Sequence, residues 1–124
     1  MSDRLAMIIE DDEDLAAIFA QAFQEVGFRI EIILDGAKAV KKLKVITPDV
    51  VVLDLHLPYV SGKELLSQIR ADERFANTLV IIATADPRLA EQLEDQVDLI
   101  LLKPISFKQL RDLAQRLRSP SSTA

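Results

Sequence analysis

Four short apolar runs, each ended by one chemically active side chain or cluster, constrain this chain more than any other feature. Leu5-Ala-Met-Ile-Ile stops at Glu10-Asp11-Asp12, and Val50-Val-Val-Leu stops at Asp54. Leu79-Val-Ile-Ile-Ala stops at Thr84, and Leu99-Ile-Leu-Leu stops at Lys103-Pro104. Short continuous runs rich in Val and Ile read as strands buried on both faces of a parallel sheet. In open α/β sheets, ligands bind outside the carboxyl ends of the strands. Carboxylates, a hydroxyl and an ammonium are therefore expected at one edge, a set suited to a divalent cation and a phosphoryl group.

Helical patterns alternate with these runs. After a strand over about Leu5–Glu10, a helix over about Glu13–Val26 puts Leu15, Ile18, Phe19, Ala22, Phe23 and Val26 on one stripe. Glu13 and Asp14 suit its N-terminal end, and Gly27 its stop. A second strand over about Arg29–Leu34 turns at Asp35-Gly36 into a helix over about Ala37–Val45, with Val40 and Leu43 inward. That helix ends before Thr47-Pro48, and a third strand follows over Asp49–Asp54. The loop Leu55–Val60 contains Pro58, and Ser61-Gly-Lys-Glu64 has capping-box spacing for a helix reaching about Ala71. Strand four is Leu79–Thr84, and Asp86-Pro87 reads as an N-cap before a short helix, about Pro87–Gln96, with Leu89, Leu93 and Val97 in line. Strand five is Leu99–Leu102. Ser106-Phe-Lys-Gln109 opens the last helix, with Phe107, Leu110, Leu113, Ala114 and Leu117 inward. Five short-linked βα units predict an α/β fold: a (βα)5 doubly wound three-layer sandwich on a parallel five-stranded sheet. One domain over 1–118 and a flexible polar tail over 119–124 are expected.

Composition narrows the function. The net charge of −5 disfavours direct nucleic-acid binding, which needs a basic stripe. With no cysteine there is no thiolate zinc site and no Cys nucleophile. The N-terminal Met1-Ser-Asp-Arg lacks the apolar core of a signal peptide, and no run approaches the length of a membrane span. A cytoplasmic location fits.

Glu10 and Asp11 leave strand one together, and Asp54 ends strand three. If those strands are neighbours, three carboxylates crowd one site and raise each other's pKa unless a cation relieves them. An oxygen-only donor set favours Mg2+, with Mn2+ also compatible. Mg2+ takes only one or two carboxylates, so one of the three is left as a nucleophile, and an acyl phosphate on Asp is established chemistry. Lys103 would neutralise phosphoryl oxygens, and Thr84 would donate a hydrogen bond to one. Asp12 reads as a helix N-cap. The acids between Glu91 and Asp98 read as a solvated face.

The motifs Ile9-Glu10-Asp11-Asp12, Leu53-Asp54-Leu-His-Leu-Pro58, Ser61-Gly62-Lys-Glu-Leu65, Thr84-Ala85 and Lys103-Pro104, in this order at strand ends, resemble a response-regulator receiver domain of two-component signalling. The resemblance covers about residues 4–118. It implies strand order 2-1-3-4-5, which brings the proposed residues together. It implies Asp54 as phosphoacceptor, Asp11 as a direct Mg2+ ligand and Glu10 acting mostly through metal-bound water. The backbone carbonyl of His56 is implied as a further ligand, Thr84 as the switch hydroxyl and Lys103 as the phosphoryl partner. A cis Lys103-Pro104 bond is implied as well. The donor would be a sensor histidine kinase or phosphotransfer protein. The module would catalyse its own phosphorylation and dephosphorylation without being a turnover enzyme.

Two departures from that pattern lie on the output side. The position three before Lys103, usually Tyr or Phe, is Ile100, and the stretch from Thr84 to Lys103 is a few residues short. Helix four should be short or displaced, and output is expected to use another face, around helix one and the loop after Asp54. A phosphate-independent pseudo-receiver is the competing reading. A haloacid-dehalogenase-type phosphohydrolase wants a second Asp two residues after the nucleophile, where His56 stands. A dinucleotide site wants G-x-G-x-x-G after strand one, and the three glycines, Gly27, Gly36 and Gly62, do not supply it.

Overall fold

The structure, a computed structural model, describes residues 4–118; the tail expected over 119–124 lies outside the described residues. The chain alternates β1 (Leu5–Ile9), α1 (Glu13–Glu25), β2 (Arg29–Ile33), α2 (Gly36–Leu43), β3 (Val50–Asp54), α3 (Gly62–Ala71), β4 (Leu79–Thr84), α4 (Pro87–Leu93), β5 (Leu99–Leu102) and α5 (Phe107–Arg118). Single 3-10 turns follow α3 at Glu73–Phe75 and α4 at Glu94–Gln96. The sheet order is β2-β1-β3-β4-β5, and every pairing is parallel.

The strands sort their side chains by parity. Met7, Ile9, Val51, Leu53, Val80 and Ile82 face α2, α3 and α4, meeting Ala39, Leu43, Leu65, Leu66, Ile69, Ala90 and Leu93. Ala6, Ile8, Val50, Val52, Ile81 and Ala83 face α1 and α5, meeting Phe19, Phe23, Leu110, Leu113 and Ala114. This is the doubly wound sandwich. Period-two strands need a helix layer on each side to take both sets out of water.

Local signals set the ends of the helices. Asp12 caps α1, its Oδ1 accepting the backbone N–H of Asp14 and Leu15 at 3.0 and 3.1 Å. Gly27, at φ 101°, closes α1, and the Phe28 N–H reaches back to the Phe23 carbonyl at 3.1 Å. Ser106 and Gln109 form a reciprocal capping box at 2.9 and 3.1 Å. Asp86 caps α4 with Pro87 next to it.

Two expectations change. β5 is not buried on both faces: it has one neighbour in the sheet, and Leu102 is 50% exposed. Ile18, expected on the inward stripe of α1, is 40% exposed. The contact of α1 with α5 rotates the buried face toward Ala16 and Ala20, which leaves Ile18 at its margin. Helix four is short, as its spacing required, and Ile100 packs half-buried against the same cluster as Leu89 and Val97. Of the acids near α4, Glu91, Glu94 and Asp95 are exposed. Asp98 is exposed as well, and in addition accepts the Val80 N–H at 2.8 Å and pairs with Arg70 at 3.0 Å.

Candidate phosphoryl and metal site

Register places the chemistry. Ile9 lies opposite Leu53, so Glu10 and Asp54 leave adjacent strands at the same level. Asp54 lies opposite Ala83, one residue before Thr84, and Thr84 lies opposite Leu102, one residue before Lys103. A parallel sheet with this order collects four strand ends into one cleft, and the four groups arrive with them.

Carboxylate oxygens of Glu10, Asp11 and Asp54 all lie within 4.8 Å of one another. Glu10 and Asp54 are buried and Asp11 is exposed. Lys103 Nζ stands 3.1 Å from Glu10 Oε1 and 3.7 Å from Asp54 Oδ2. Burial first, and then the Asp54 charge, push Glu10 up to about 7, against the opposing pull of Lys103. One ammonium thus serves two buried carboxylates and leaves the cluster short of positive charge. A hard divalent cation fits that deficit and the oxygen-only donors.

The remaining contacts prepare the site. The His56 backbone N–H donates to Asp54 Oδ1 at 3.1 Å, while the His56 side chain is exposed. The Asp12 N–H donates to Glu10 Oε2 at 3.2 Å. The fully buried Thr84 hydroxyl accepts the Asp86 N–H at 3.1 Å, which leaves its own proton free to donate. The Lys103 N–H donates to the Thr84 carbonyl at 2.9 Å, tying the two strand ends together. The Lys103-Pro104 bond is cis.

Glu10, Asp11, Asp54 and Lys103 therefore meet, and Thr84 sits one step along the edge. Two residues carry more weight in the structure than their motifs suggested. A Cβ on Gly62 would stand 2.2 Å from the Asp54 carbonyl oxygen, and one on Gly36 1.9 Å from that of Val60. Gly36 read only as a turn, and Gly62 as the start of a helix and a member of one motif with no packing role, because the crowding comes from distant chain. Tyr59 adopts φ 72° in the loop after Asp54 and is 86% exposed; no sequence signal marked it.

The family model for the response regulator receiver domain matches residues 6–115. The chain belongs to that family and is a receiver domain of two-component signalling. It is 33% identical to the probable methanogenesis regulatory protein FilR2 of Methanothrix harundinacea, over 92% of this chain and 81% of that protein. It spans about half the length of other regulators it matches, from Vibrio cholerae and Mycobacterium leprae. The receiver domain of the Francisella response regulator 1452 superposes with TM-score 0.81 at 28% identity, covering 96% of this chain and 99% of that one. The receiver domain of sensor histidine kinase PA1611 from Pseudomonas aeruginosa, solved with a magnesium ion in its active-site cleft, gives TM-score 0.80 over 94% of this chain and 98% of that one. At 23% identity that last likeness carries the fold alone. Among the described residues, no helix is long and apolar enough to cross a membrane.

Proposed function

We propose that this domain accepts a phosphoryl group from the phosphohistidine of a sensor kinase or phosphotransfer protein onto Asp54, in the cytoplasm, and that the acyl phosphate changes its affinity for a downstream protein. The observation that carries this reading is the convergence of Glu10, Asp11 and Asp54 within 4.8 Å around a single lysine. Packing alone requires no such set, because burying carboxylates together is costly.

An Asp54 oxygen attacks phosphorus, the donor's P–N bond breaks, and the imidazole leaves with its electron pair. Lys103 holds the phosphoryl oxygens against the buried carboxylates, and Thr84 donates its free hydroxyl proton to one of them. The His56 N–H keeps the carboxylate oriented. Mg2+, or Mn2+, held by Asp11, Asp54 and the His56 carbonyl with Glu10 beside them, would supply positive charge to the transferring group. The phosphorylated state is favoured by whatever contacts Thr84 and the neighbouring loops make only with phosphate present.

Intact mass after incubation with Mg2+ and acetyl phosphate tests the reading. One added phosphoryl group is expected, absent without metal and absent in Asp54→Asn. If neither acetyl phosphate nor a phosphohistidine donor adds mass, the domain works without phosphate, as a pseudo-receiver would.

A further inference from the structure

At the opposite margin of the sheet from β5, the β2 edge carries a groove that the Asp54 chemistry does not use. The groove measures about 480 Å³ and is lined by Ile32, Leu34 and Val45 together with Lys38, Lys41 and Lys42. Ile32 is 42% exposed and Val45 78% exposed, so apolar surface stays in water here. β2 is outermost in the sheet, and among the described residues no strand lies on its other side. Such an edge offers backbone donors and acceptors to an incoming segment.

Charge singles out the same place. The chain is acidic overall, at −5, yet residues 36–46 contain Lys38, Lys41, Lys42 and Lys44 and no acid. Two acids stand beside these lysines, Asp35 before α2 and Glu31 in the groove's own lining, and both are engaged. Asp35 accepts the Lys38 backbone N–H at 2.8 Å, and Glu31 pairs with Lys42 at 3.4 Å.

We propose that the groove between β2 and α2 docks an acidic segment of a partner protein whose apolar side chains rest on Ile32 and Val45. Carboxylates on that segment would meet the lysines while its aliphatic groups cover the exposed surface. A second copy placed symmetrically would set lysines against lysines. A nucleic-acid backbone would leave the apolar lining uncovered on a chain whose net charge repels it. A membrane surface does not fill a concave groove.

The helix that walls the groove also touches the loop after Asp54. The Gly36 N–H at the start of α2 donates to the Pro58 carbonyl at 3.1 Å, and Gly36 lies against Val60. Movement of the loop after Asp54 therefore reaches the helix that walls the groove. This coupling, unlike the docking itself, rests on the reading of Asp54 as phosphoacceptor.

Selection of displayed random peptides on the full, unphosphorylated chain tests the docking. The expected winners alternate Asp or Glu with Val, Ile, Leu or Phe, and they shift the amide resonances of Ile32, Leu34 and Val45. Reversing charge with Lys38→Glu, Lys41→Glu and Lys42→Glu together should weaken a synthetic winner by at least about tenfold. If that variant fails to fold, Lys41→Glu alone, with the salt dependence of wild-type binding, gives the same answer. Basic or uncharged winners, winners indifferent to charge reversal, or stronger binding to phosphatidylserine vesicles or duplex DNA overturn the proposal. In protein whose phosphorylation is verified by mass, the winner's affinity should change by about fivefold or more. No change in such protein overturns the coupling. The lysine variants should still take up phosphate, so loss of docking and loss of phosphorylation are read separately.

Discussion

Gly62→Ala is expected to cost the domain about 3 kcal/mol and to lose most phosphoryl uptake at Asp54. The new Cβ would lie 2.2 Å from the Asp54 carbonyl oxygen, 2.6 Å from the Leu55 Cα and 2.9 Å from the Asp54 carbonyl carbon. All three are backbone atoms, so no rotamer relieves the clash. Either α3 withdraws from the end of β3, breaking the Gly62 N–H to Leu55 carbonyl bond at 3.1 Å, or the Asp54 backbone moves and takes the carboxylate out of register with Lys103. Against a total stability of roughly 5–15 kcal/mol the loss is large. Urea unfolding should show a lower midpoint with an unchanged slope. Gly36→Ala meets the Val60 carbonyl oxygen at 1.9 Å and should destabilise comparably, while disturbing phosphorylation less because it pushes on the loop tip. Gly27→Ala forces an L residue to φ 101° and should cost about 1 kcal/mol with phosphorylation intact. A Gly62→Ala protein with wild-type stability and uptake would show that the loop yields freely and that the close approach at Gly62 does not fix the Asp54 backbone.

The second large effect is a dependence of stability on pH that Mg2+ reverses. Glu10 titrates near 4.5 in an ordinary setting and at about 7 in the folded chain, because burial and then Asp54 disfavour its charge. Its folded pKa is raised, so the native state binds the proton more tightly than the unfolded chain does. Its contribution to stability is then fully present below pH 4.5 and is lost as pH rises through 7. Metal-free protein should accordingly melt progressively lower across that window. A cation at the cluster reverses the penalty on the ionised form, so Mg2+ should restore stability at pH 8 and do less at pH 5. At ten times its Kd, the gain at pH 8 is about 1.4 kcal/mol. Glu10→Gln should flatten the metal-free profile and weaken the response to Mg2+. Calorimetry of the two proteins with and without Mg2+ at both pH values decides the matter. Equal stabilisation by Mg2+ at pH 5 and pH 8 would remove Glu10 from the account.

The βα alternation, most helix caps and the strand-end groups were visible in the chain because each has a local cause, although Asp35, which caps α2, was read only as a turn. A capping Asp such as Asp12 acts on backbone two and three residues away. A buried strand announces itself by an unbroken apolar run, as Val50–Leu53 does. Even the shortened α4 followed from the spacing between Thr84 and Lys103. The half-exposure of β5 was not visible, because Leu99–Leu102 is as apolar as the central runs and differs from them only in having one neighbour. The Ile18 position failed for a related reason. A helical stripe fixes an apolar direction, but the packing of α5 decides which side of it is covered.

Taken by itself, the order of residues determined that Glu10, Asp11, Asp54, Thr84 and Lys103 would stand at the carboxyl ends of parallel strands, since strand direction and run length settle where each chain segment emerges. Strand order was anticipated through the family resemblance and not from the run pattern, whereas tertiary structure alone decided two other things: the crowding of Gly36 and Gly62 against the loop after Asp54, and the burial that lifts Glu10 to about 7. Each of these is a distance between residues far apart in the chain. Such distances arise only when side-chain packing chooses one arrangement of the layers and excludes water from between them.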